Sequence, residues 1–123
     1  MRDYYATYNN EDAEALSAFY HPEVELHSAQ GVMRGLEEVL TTYRHLVATF
    51  EDRMHPTAMA SRGDTIEIEI TDRLTARTGI DDFMGSSLAA GETLTLKLRG
   101  TYRIEDQQLR HIEIELLEAS LDA

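Results

Sequence analysis

Apolar residues recur at every second position along three stretches in the second half of the chain. Ile66, Ile68, Ile70, Leu74 and Ala76 share one parity, and Leu94, Leu96, Leu98, Tyr102 and Ile104 continue it. Ile112, Ile114 and Leu116 close the series. A period of two marks a strand with one buried face. Strands are therefore predicted over 65–77, 92–104 and 108–118, with their even-numbered residues inward. The odd-numbered residues are polar: Glu67, Glu69, Thr71 and Arg73, then Lys97, Arg99 and Arg103, then His111, Glu113 and Glu115. Acidic strands flanking a basic one let opposite charges meet across the sheet, each pair worth ~0.2–1 kcal/mol. That face is expected to meet water or a second subunit.

The first half reads differently. Leu36, Val39, Leu40, Tyr43, Leu46, Val47 and Phe50 recur at three- and four-residue spacings, which predicts a helix over 36–51. Residues 3–8 form a short helix, and a second helix starts near Asn10 as N-cap, with Glu11, Asp12 and Glu14 in its first turn. Pro22 ends it. Val24, Leu26 and Ser28 alternate with Glu25 and His27 as a strand, and Gly31 to Gly35 is a turn or tight hairpin. A weak strand is expected over 54–61, and Arg62-Gly63-Asp64 is read as a turn. The segment 78–91, rich in Gly, Ser and Asp, reads as a loop, with Phe83 and Met84 as a lid over a pocket. Helices first and long strands afterwards give an α+β fold, a single domain over 1–123 with helices covering one sheet face.

Composition narrows the function classes. The chain has 123 residues, no cysteine and a net charge of −12. Thiolate chemistry and cysteine-ligated zinc are excluded, and nucleic acid and anionic membranes are poor partners for such a field. No apolar run approaches the ~20 residues of a membrane span. Met1-Arg2-Asp3-Tyr4-Tyr5 carries no apolar signal core, so a cytoplasmic location is expected. None of the five histidines falls in a metal-binding spacing, so no metal and no cofactor are expected; a metal site would need convergence from distant strands.

Several segments carry a resemblance: Tyr4-Tyr5-Ala6-Thr7-Tyr8-Asn9-Asn10-Glu11-Asp12, Phe19-Tyr20-His21-Pro22-Glu23-Val24-Glu25-Leu26, Arg34-Gly35-Leu36-Glu37-Glu38-Val39 and Gly100-Thr101-Tyr102-Arg103-Ile104. Together they resemble the nuclear transport factor 2-like superfamily, in particular its SnoaL-like branch. The resemblance implies a cone: a curved antiparallel sheet wrapped round three N-terminal helices, a cystatin-like roll with an apolar pocket inside, and a homodimer through the outer sheet face. Its members include isomerases, cyclases, dehydratases, hydrolases and non-enzymatic binders, so the fold does not select a reaction. Compared with the ketosteroid isomerases, the oxyanion-binding tyrosine falls at Tyr4, but the two acids fall at Ser28 and Gly100. Compared with the limonene epoxide hydrolases, one aspartate of an Asp-Arg-Asp trio falls at Asp72, while the arginine and second aspartate fall at Ile70 and Ile114. SnoaL-like cyclases place an acid/base in the last strand, where Ile112 and Ile114 stand.

Asp72 interrupts the inward apolar series between Ile70 and Leu74. A buried carboxylate is costly unless it is paired, protonated or used. One reading makes Asp72 a general base with a raised pKa; the other has a bulge turn it outward onto an arginine. Tyr4 is the candidate donor to a substrate oxygen. A pocket lined by Tyr8, Leu26, Ser28, Tyr43, Ile70, Phe83, Leu98, Tyr102, Ile112 and Ile114 follows from the inward parity and the resemblance, for a small apolar ligand up to steroid size. Two functions stay open: a cofactor-free isomerase-, cyclase- or hydrolase-like enzyme, and a non-catalytic ligand-binding or protein-interaction module.

Overall fold

The computed structural model describes residues 2–29, 31–83 and 85–122, excepting the side chains of Ser86 and Asp122. Its elements in order are α1 (Arg2–Asn9), α2 (Ala13–Ser17), β1 (Tyr20–Ser28), β2 (Gly31–Arg34), α3 (Leu36–Thr49), β3 (Phe50–Arg62), β4 (Thr65–Ala76), β5 (Ile80–Phe83), β6 (Ser86–Leu88), β7 (Thr93–Glu105) and β8 (Gln108–Asp122). The main sheet has six strands in the order β2-β1-β8-β7-β4-β3, and β5 and β6 form a separate hairpin. The sheet is mixed, because β1 runs parallel to β8 while the other pairs are antiparallel. The α+β cone expected from the sequence is the observed architecture.

The even-numbered face packs inward. Along β4, Ile68, Ile70, Asp72, Leu74 and Ala76 are buried, and along β7 so are Leu94, Leu96, Leu98 and Tyr102. Val39, Leu40 and Tyr43 supply the buried stripe of α3. Leucine and isoleucine side chains shut away like this contribute roughly 1.5–3 kcal/mol each. Register shifts interrupt the parity in several places, two of them in the middle of long strands. The β7–β8 register shifts between Lys97 and Leu98, and Leu117 is left exposed. The β3–β4 register shifts between Pro56 and Ala58. A bulge at Pro56 is physically apt, since proline has no N–H for the ladder.

Four local expectations change. The second helix is capped by Asp12, not Asn10: the Asp12 side chain accepts a hydrogen bond from the Ala15 N–H at 3.1 Å. That helix stops at Ser17, and Pro22 lies inside β1 instead of terminating it. Helix α3 gives way to strand at Phe50, four residues before the strand expected at 54. The segment 78–91 contains the β5–β6 hairpin where a loop was expected. Gly63 adopts φ 62 in the β3–β4 turn, a conformation that costs glycine little. The Arg62-Gly63-Asp64 tripeptide is that turn.

Candidate functional site

Strand register assembles the site. Asp52 lies opposite Leu74, and Met54 lies opposite Asp72. Asp52 and Asp72 are thus diagonal neighbours on the inner face of adjacent strands, within side-chain reach. Both are buried, Asp52 at 0% exposure and Asp72 at 4%. The two carboxyl groups interact, and a hydrogen bond between them requires that one hold a proton. Asp52 Oδ1 and Asp72 Oδ1 find no hydrogen-bond donor among the described residues. One proton held between the acids relieves that deficit.

The proton belongs mainly to Asp72. Burial, then the hydrogen bond it gives Asp52, then the Asp52 charge push its carboxyl up to about 10. Burial also raises Asp52, but hydrogen bonds from Asp72 and Tyr8 oppose that rise. Tyr8 donates to Asp52 Oδ2 at 2.7 Å. The pair therefore carries one negative charge and one proton at neutral pH. Like charges this close cannot both ionise in a desolvated site.

Helix α1 holds this arrangement in place. The Asn9 side chain donates to the Met54 carbonyl at 3.0 Å and accepts from the Met54 N–H at 2.8 Å. This clasp fixes α1 against β3 two residues beyond Asp52 and places Tyr8 beside it. Tyr43 of α3 donates to the Tyr8 carbonyl. The rings of Tyr8 and Tyr43 meet edge to face at 4.8 Å.

Asp72 lines a cavity of about 140 Å³ between helices and sheet. Apolar residues dominate its wall. Tyr4, Tyr8, Leu26, Ser28, Tyr43, Phe83, Leu98, Tyr102, Ile112 and Ile114 all line it. Ile70 does not. It shares the inner face but is packed in the core at 2% exposure, opposite Leu98 and between strands on both sides. Met84 of the expected lid lies outside the described residues, while Phe83 stacks at 4.7 Å on Phe50. The volume suits a ligand of about one ring, not a steroid: an engineered cavity of comparable size elsewhere holds benzene.

Tyrosine hydroxyls furnish much of the wall's polarity, beside Ser28, Thr42 and Asp72. Tyr4 and Tyr20 share a hydrogen bond of 2.7 Å, and Tyr5 donates to Tyr102 at 2.9 Å. In the first pair one hydroxyl donates and the other keeps its proton for a third partner. Burial holds all these phenols well above their usual pKa, so they stay neutral donors.

Asp52 and Tyr20 are the participants the sequence reading missed. Phe50, Asp52 and Met54 alternate with Glu51 and Arg53, the same period of two that revealed the other strands. Ending the expected helix at 51 and starting the strand at 54 split this series and hid the signal. On the outer face, Glu25, His27 and His111 converge from β1 and β8, which no spacing along the chain displays.

A search of solved structures places the fold among known ones. The chain is similar to a polyketide cyclase-like protein of Xanthomonas campestris at 17% identity, covering 91% of this chain and 83% of that one, with a TM-score of 0.79. It is similar to an LEH-like epoxide hydrolase of M. tuberculosis at 13% identity, covering 93% and 77%, with a TM-score of 0.74. An NTF2-like protein of unknown function from Burkholderia pseudomallei matches at 23% identity, covering 94% and 86%, with a TM-score of 0.73. A search of curated proteins gives no significant match. No helix among the described residues is long and apolar enough to cross a membrane. The SnoaL-like domain family matches residues 1–112, which with the α+β cone establishes that the chain belongs to that family.

Proposed function

We propose that this protein is a cofactor-free proton-transfer enzyme acting on a small, mainly apolar molecule that carries a carbonyl. The observation that carries the reading is the buried pair of carboxyls, Asp52 and Asp72, on adjacent strands, with Asp72 at the wall of an apolar cavity. The two acids act as one base. Asp72 takes a proton from the carbon next to the carbonyl as the shared proton passes to Asp52, whose Oδ2 keeps the Tyr8 hydrogen bond. One C–H bond breaks, one O–H bond forms, and the pair becomes neutral. The enolate oxygen accepts a hydrogen bond from the free hydroxyl proton of the Tyr4–Tyr20 pair. Return of the proton to a different carbon gives an isomerase, and attack of the enolate carbon on a second carbonyl gives a cyclase. A base raised above an ordinary carboxylate is better matched to such a proton.

Deuterium uptake tests this. A ring-sized ketone such as cyclohexanone, incubated with protein in D2O, is expected to gain α-deuterium, read by NMR. Asp72→Asn is expected to abolish uptake while ligand binding persists. Equal uptake by Asp72→Asn would refute the role of the pair. A second reading, a non-catalytic binder, is favoured by Ile112 and Ile114 in the wall where relatives carry acids. Binding of the ketone by the parent with no deuterium uptake would select it. The outer sheet face, where Arg99 is ringed by Glu67, Glu69 and Glu115, is proposed as the homodimer surface.

A further inference from the structure

The outer face of the β1–β8 joint carries a cluster that the cavity chemistry does not use. Glu25 lies opposite His111, and His27 opposite Glu113, in parallel register. Residues two apart on a strand share a face, so the four side chains form a two-by-two array of imidazoles and carboxylates. His27 Nε2 is 2.7 Å from Glu25 Oε1, and His111 Nε2 is 3.2 Å from Glu113 Oε1. One ligating atom each from Glu25, His27 and His111 lies within 4.8 Å of the others, and all three residues are half-buried.

The ring geometry discriminates a metal site from a chance cluster of polar groups. The two imidazole centroids are 5.0 Å apart and tilted by 35°. A tetrahedral ion about 2.0–2.1 Å from each ring nitrogen sets two ligating imidazoles roughly 5 Å apart, centroid to centroid. The 5.0 Å separation of the two rings already matches that spacing. Arg34 approaches Glu25 Oε2, at 3.9 Å, and leaves Oε1 to the His27 side. Arg103 lies opposite His111 on β7 as the opposing cation.

We propose that Glu25, His27 and His111 bind one divalent transition-metal ion, with Glu113 as the outer carboxylate that orients the His111 ring. Two imidazoles and a carboxylate select Zn2+ and its neighbours over Mg2+ or Ca2+, which want oxygen throughout. A conserved-volume pocket is not required, because the ligands come from two strands already hydrogen-bonded to each other. The ion would tie β1 to β8 at the one parallel joint of the sheet. Its open coordination positions face solvent.

The test uses full-length protein stripped of metal with a chelator and dialysed free of it. Titration with Zn2+ alone is expected to show one saturable site per chain and a rise in Tm. Co2+ is expected to give the visible bands of a low-symmetry site. His27→Gln and His111→Gln are each expected to weaken Zn2+ binding by at least about tenfold, and Glu113→Gln by a smaller factor within the roughly 10–100-fold range of orienting partners. Melting each variant without metal checks that it folds. Asp72→Asn, remote from the cluster, is expected to bind Zn2+ like the parent. Absence of saturable binding at micromolar Zn2+, or affinity unchanged in both histidine variants, would overturn the proposal.

Discussion

Replacing Asp72 by asparagine changes how stability depends on pH, and the direction follows from the shared proton. In the unfolded chain Asp72 titrates at the ordinary aspartate value of 3.8, whereas in the fold its carboxyl is pushed up to about 10. Between those values the native state holds a proton that the unfolded state has released. Stability then falls as pH rises through that window and levels off above the folded value. Below 3.8 both states are protonated, so the slope vanishes and the group's stabilising share is fully present. One proton gives a slope of up to about 1.4 kcal/mol per pH unit, so from pH 5 to pH 8 the parent loses up to about 4 kcal/mol through this group. That is a large part of the ~5–15 kcal/mol typical of a domain. The asparagine amide cannot ionise, and its N–H2 still donates to Asp52. Urea denaturation of parent and variant at matched pH gives two stabilities whose difference isolates Asp72. The variant is expected to be the more stable at pH 8, with its advantage shrinking toward pH 5. A difference that is flat with pH, or that grows as pH falls, would show that Asp72 is an ionised structural acid and remove the proton on which the proposed chemistry rests.

Tyr8→Phe deletes the donor to Asp52 Oδ2 and is expected to cost ~1.5–3 kcal/mol by urea denaturation, with the acid pair holding its second proton to higher pH. Gly100→Ala places a methyl 2.6 Å from the Tyr102 ring, which is 1% exposed and cannot swing away; a loss of ~1–3 kcal/mol is expected, read as a lower Tm. Arg99→Glu breaks exposed ion pairs with Glu67, Glu69 and Glu115, so it is expected to change the stability of the single chain by less than ~1 kcal/mol while weakening the dimer in sedimentation. A parent that sediments as a monomer at micromolar concentration would rule out that outer-face dimer.

The sheet was legible because its strands are long and one-sided. In β4 and β7 each inward residue is apolar save Asp72 and Gly100, and a slip of one position would expose the whole set. The helix α3 was legible for the matching reason at its own period. Its end was not, because Phe50 fits both the helical stripe and the first inward position of β3. That ambiguity concealed Asp52, and with it the partner that turns Asp72 from a lone buried acid into half of a pair. Register supplied what periodicity lacks: periodicity says which face a residue occupies, while only strand pairing says which neighbour it meets. The cluster of Glu25, His27 and His111 was out of reach for that reason, being made by a parallel joint between the first strand and the last. Ile70 shows the converse limit. Inward parity brought it to the core, and nothing in the pattern separates core from cavity wall.

That parallel joint also governs the order in which the chain can assemble. Strand β8 lies between β1 and β7, so the β1–β2 hairpin has no place in the sheet until the last strand has formed. During synthesis β1 emerges early and waits through nearly the full length of the chain with one edge unpaired. Contacts of such sequence separation slow folding, since a large loop must close before they form. An open edge on an apolar-faced hairpin is also a template for pairing with other chains. Expression of this protein is therefore expected to be most vulnerable to aggregation in the interval when β3, β4 and β7 can pair but β8 has not yet emerged to join them to β1.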